Sequence, residues 1–126
     1  MHYGLAPSGC EFLPTVRRPR VGDLDRVLEY QAGQLIFYGH DHQSADSPGR
    51  ARYVNPGSLG CCDEAVGRYC TVEFSRGYIR LRHCRAAYED GELFGAFEQR
   101  TVPEREFIYR VFFGERFCRG NEGSAA

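Results

Sequence analysis

The sequence predicts an α/β domain with mixed and antiparallel strands and three helices. Three observations carry that expectation. An apolar run, LIFY at residues 35–38, ends in Gly39 and follows a segment of helical spacing. Residues 68–83 alternate apolar and polar side chains around a Ser75-Arg76-Gly77 turn. Two segments near the end of the chain, around 93–97 and 101–113, carry apolar residues three and four apart. At 126 residues the chain suits one domain, with neither internal repeat nor linker.

Taken in order, Asp23 precedes Leu24, Val27 and Leu28 at helical spacing, predicting a short helix that stops near Gly33. Leu35–Tyr38 is then a strand of the kind buried on both faces. Residues 45–50 are turn-formers, Arg52–Val54 a short strand, and Asn55-Pro56-Gly57-Ser58 a tight turn. In the hairpin, Cys70, Val72 and Phe74 share one face with Ile79 and Leu81 inward, while Tyr69, Thr71, Glu73, Arg80 and Arg82 face water. Leu93, Phe94 and Phe97 form the stripe of the next helix, weakened by Gly91 and Gly95. For the last helix, Thr101 and Glu104 make a capping box, Phe107, Ile108, Val111 and Phe112 the buried face, and Gly114 the stop. Residues 119–126 read as a disordered tail after a domain spanning 1–118.

Composition removes several functions. All sixteen basic residues are Arg, and seventeen Asp and Glu balance them, so the electrostatic footprint of a nucleic-acid binder is missing. The run Arg17-Arg18-Pro19-Arg20 is a solvated face. The six cysteines contain no C-x-x-C pair, and no charged leader with an apolar stretch stands before them, so reduced thiols in the cytoplasm are expected. No apolar run reaches the roughly 20 residues of a membrane helix.

Four histidines occur, two of them at His40 and His42 in LIFYGHDHQ. On an extended segment side chains at i and i+2 point the same way, so the pair either converges on one metal centre or holds two neighbouring ions. The plain alternative is two loop histidines bonded to backbone. Position favours ligands, because the loop beyond the carboxyl end of a strand is where open α/β sheets place their sites. Asp41 between them is either an acceptor that orients an imidazole or a solvated loop acid. His83, on the hairpin, reads as structural.

His2-Tyr3-Gly4, then LIFYGHDH, YVNPGSLG, an alternating hairpin and TVPEREFIYRVFFG follow one another in an order that resembles the C-terminal half of calcineurin-like metallophosphoesterases, in their small bacterial phosphodiesterase-like branch. The resemblance covers residues 2 to about 114. It implies the C-terminal half of a four-layer αββα sandwich, and a dinuclear centre that hydrolyses phosphate esters. By the family pattern His2 and His40 are ligands of the second metal and His42 of the first, with Asn55 joining Asp41 as a candidate to orient the ligands from behind. Two divalent ions, Mn, Fe, Zn or Ni, about 3.5–4 Å apart, lower the pKa of a bridging water and clamp the phosphoryl oxygens.

The pattern also departs from the family. Asp41 stands where Thr or Ser is frequent, and the D-x-H, GD and GNH elements that carry the remaining ligands do not occur; GDLD at 22–25 follows the first matched ligand and lies in a helix. The expectation is therefore roughly half an enzyme that binds at most one transition metal ion, is inactive alone, and either self-associates or pairs with a missing N-terminal half. Two other classes stay open. One is a non-catalytic interaction module or remnant. The other is a cupin-like metal-binding barrel, for which Asp46 is a poor substitute for the required glutamate.

Overall fold

The computed structural model describes residues 8–13, 16–29, 32–114 and 116. His2, Cys118 and the 119–126 tail lie outside them. Among the described residues the chain is a mixed α/β fold of three helices and two sheets, in the order α1 (Val21–Val27), β1 (Leu35–Phe37), β2 (Ala45–Pro48), β3 (Arg52–Asn55), β4 (Val66–Ser75), β5 (Tyr78–Ala87), α2 (Gly91–Gln99) and α3 (Arg105–Phe113). No helix among these residues is long and apolar enough to cross a membrane. Two compact units divide the chain, Met1–Ser58 with Tyr69–His83 and Leu59–Arg68 with Cys84–Ala126, and the division runs across the β4–β5 hairpin.

In the first unit β3 is the central strand, with β1 parallel on one side and β2 antiparallel on the other. The parallel ladder continues past the strands through Arg52 N–H to Gln34 O (2.9 Å) and Tyr38 N–H to Val54 O (2.9 Å). Tyr53, Val54 and Asn55 are fully buried. Among the described residues β1 is therefore an edge strand, half-buried rather than covered on both faces, and Phe37 is exposed. β2 corrects the expected turn at 45–50. Ala45, Asp46, Ser47 and Pro48 have weak strand propensity, yet each finds a register partner on β3, and tertiary pairing overrides local preference. Pro48 is tolerated because β2, among the described residues, is itself an edge. Asp46 is engaged by the Arg52 guanidinium through Nε–H to Oδ1 (2.9 Å) and Nη2–H to Oδ2 (2.7 Å), which holds its carboxyl below the usual carboxylate range.

Helix α1 packs Leu24 and Leu28 against Tyr38, Ala51 and Tyr53. Its start is held by the Asp23 carboxylate, which accepts the Arg20 N–H (3.1 Å) and pairs with Arg26 (2.9 Å). Asp25 fastens the helix to the β2–β3 connection: its Oδ1 accepts both the Arg50 N–H (2.7 Å) and the buried Tyr53 hydroxyl (2.8 Å). Burial, and then the bond to Asp25, push the Tyr53 phenol above its ordinary value. Gly49 sits against this joint. A Cβ there would meet Asp25 Oδ1 at 2.7 Å, Val21 Cγ1 at 2.8 Å and Tyr53 Cε2 at 3.0 Å. The carboxylate cannot retreat without giving up its two hydrogen bonds. Gly49→Ala is accordingly expected to cost about 1–3 kcal/mol in urea unfolding; a neutral result would mean the joint yields without loss.

The hairpin is longer than its alternating segment suggested. Burial alternates through Cys70 and Val72, and from Glu73 to Arg80 every residue is exposed, with Phe74 at 71 %. Phe74 and Ile79 are thus not inward residues.

In the second unit α2 and α3 pack through Phe94, Tyr109 and Phe113, with Phe97, Ile108 and Phe112 alongside. Phe94 meets both Tyr109 and Phe113 edge-on at 5.4 Å between centroids. The buried face of α3 is turned by one residue from the expected one: Phe107 and Val111 are exposed, and Tyr109 is buried because its hydroxyl donates to Glu98 Oε1 at 3.0 Å. The expected capping box is absent as well. Thr101 N–H bonds Glu98 O (3.1 Å) and Val102 N–H bonds Phe97 O (3.1 Å), the paired bonds of a helix C-terminal motif, with Thr101 at φ 48°. Thr101 closes α2 and is lost to α3, which starts at Arg105 behind Pro103. Gly114 does end α3, at φ 60° and with its N–H on Tyr109 O; a Cβ there would lie 2.6 Å from Asp63 Cβ.

Candidate functional site

Because β1 and β3 run parallel, their carboxyl ends emerge side by side. The first leads into Gly39-His40-Asp41-His42 and the second into Pro56-Gly57-Ser58, so two sequence motifs about fifteen residues apart form one loop cluster. Hydrogen bonds join them. The buried Asn55 donates from Nδ2 to Asp41 O (2.6 Å) and accepts the Gly57 N–H on Oδ1 (2.9 Å), while Ser44 Oγ donates to Pro56 O (2.9 Å). Asn55 therefore supports the backbone between the two histidines and shapes its own turn at once.

Asp41 is held on its other side as well, where its Oδ2 accepts the Arg18 N–H at 3.1 Å. Its charge adds to burial in raising the phenol of Tyr38, the buried residue that ends the β1 run. His40 has φ 77°, a left-handed conformation that costs a non-glycine residue energy and is retained here by the bonds on either side. The loop bends at that point, so the extended-segment rule for positions i and i+2 does not describe it. The bend lies at His40 itself rather than at Gly39, whose φ is not positive. His40 is exposed and His42 half-buried.

Fitness for metal can be judged from the donor set. Two imidazoles on one strained loop are suitable nitrogen donors for borderline divalent ions. Among the described residues no three His, Cys, Asp or Glu side chains come together as a metal-binding group. The loop thus does not make a closed site from the described residues, and His2, the third matched ligand, lies outside them. Asp46, the acid a cupin-like barrel would have to use, is held by Arg52.

Asn55 had a sequence signal in its N-P-G-S context, although its contact with Asp41 depends on strand pairing and is not visible in the chain order. Comparison with protein-family models, with curated proteins and with solved structures found no match to this chain.

Proposed function

We propose that residues 35–58 are the histidine-bearing part of a calcineurin-like metallophosphoesterase centre acting on phosphate esters. The observation that supports this most is the junction of the two motifs: GHDH and NPGS, separate in sequence, meet at parallel strand ends through the buried Asn55. Under this reading His40 and His42 present imidazole nitrogens to divalent ions, and the strained backbone at His40 fixes where its ring projects. When bound, the ions supply an ionised water and a clamp on the phosphoryl oxygens. The remaining ligands are His2 and, by the family pattern, the Asp, His and Asn side chains of D-x-H, GD and GNH elements; those three elements do not occur in these 126 residues. The two sheets described above would then belong to a four-layer αββα sandwich.

A test follows in two stages. Titration of the 126-residue chain with Mn or Zn is expected to give at most one weakly held equivalent, lost in His40→Ala. Hydrolysis of an aryl phosphodiester is expected to be undetectable with this chain alone, to appear when a segment carrying D-x-H, GD and GNH is supplied, and to vanish in His42→Ala. Turnover that survives His42→Ala would refute the reading. The second reading, an interaction module, draws on the exposed Phe74, Tyr78 and Ile79 of the hairpin. Neither metal uptake nor hydrolysis in any form is the outcome that favours it.

A further inference from the structure

The hairpin brings a thiol against an imidazole. Cys70 on β4 and His83 on β5 stand the same number of positions from the Arg76-Gly77 turn and face each other, with Sγ 3.3 Å from Nδ1. The tautomer with its hydrogen on Nε2 leaves Nδ1 to accept the S–H proton. Asp46 lies within electrostatic reach of this pair, with its carboxylate held by the Arg52 guanidinium.

We propose that Cys70 is a reactive thiol with His83 as its base, and a site of modification by low-molecular-weight disulfides. The Cys70 sulfur attacks one sulfur of the small disulfide as Nδ1 takes its proton. The S–S bond breaks with its electron pair on the departing sulfur, and the imidazolium returns the proton to that thiolate. One protein thiol and one small disulfide thus become one mixed disulfide and one small thiol, with no other oxidant.

Other thiols provide the contrast. Cys62 is buried, and its Sγ lies 3.0 Å from Glu64 O and 3.5 Å from Val66 O, so its S–H faces backbone carbonyls rather than a base. Cys10 is exposed, its Sγ donates to Ser8 O (3.4 Å), and no basic side chain bonds it among the described residues. Cys84, next to His83, points to the opposite face of β5. Exposure alone would rank Cys10 first; a neighbouring base ranks Cys70 first.

The experiment exposes the full chain to oxidised glutathione at neutral pH and follows each cysteine by peptide mass spectrometry, with Cys10 as internal reference. Cys70 is expected to form the mixed disulfide about tenfold faster than Cys10. His83→Asn should bring its rate down to that of Cys10 without altering Cys10. In denaturant the wild-type chain should lose the preference, a control that needs no variant to fold. A Cys70 rate at or below that of Cys10, no response to His83→Asn, or a preference that persists in denaturant would each overturn the proposal.

Discussion

Arg116→Met is expected to destabilise the second unit by about 3 kcal/mol, the low end for opening a buried ion pair because Asp90 keeps some contact with water. Arg116 Nε lies 3.1 Å from Asp90 Oδ2, with side chains 9 % and 20 % exposed. Its guanidinium carbon is 5.0 Å from the Phe113 ring centroid, 5.7 Å from Phe94 and 5.9 Å from Tyr88. Nη2 donates to Gly60 O (3.3 Å) and the Tyr88 hydroxyl (3.2 Å). Nε and Asp90 Oδ2 are paired by charge without hydrogen-bond alignment, and Nη1 has no hydrogen-bond partner among the described residues. One cation thus sits on the aromatic core of α2 and α3, and methionine keeps volume there while leaving the Asp90 carboxylate unpaired. Hydrogen exchange is the suitable readout, because a chain of two units need not unfold in one step. Amides of α2 and α3 should lose about two orders of magnitude of protection, and those of β3 little. Unchanged α3 protection would show that the rings alone hold the helices.

The second large effect is expected at Asn55. Asn55→Leu keeps the heavy-atom branching of a fully buried side chain but removes the donor to Asp41 O and the acceptor of Gly57 N–H. Losing those two partners should cost about 2–4 kcal/mol in urea unfolding. If the histidine loop takes up a metal ion, affinity should also fall by about 10–100-fold, the usual consequence of disturbing a group that positions ligands. Asn55→Asp separates the contributions, since it retains an acceptor for Gly57 and loses the donor to Asp41. A loss near zero in Asn55→Leu would show that the Ser44–Pro56 and Arg18–Asp41 bonds hold the loop unaided.

The sequence by itself determined the elements whose signals are local. The apolar run became β1, the alternation on either side of Ser75-Arg76-Gly77 became a hairpin, and Gly114 ended α3, because periodicity and turn chemistry act within a few residues. It also singled out His40 and His42 in one loop and Asn55 in a separate turn. What needed a partner was decided by the tertiary structure. Residues 45–48 have turn composition and become a strand because β3 offers them backbone partners. Thr101 has the residue type of an N-cap and serves instead to end α2, since the chain must first turn after that helix. Tyr109 replaces Phe107 and Val111 in the core because Glu98, eleven residues earlier, accepts its hydroxyl. The meeting of GHDH with NPGS follows from parallel pairing of β1 and β3, which no local propensity encodes, and that pairing places Asn55 behind the histidines.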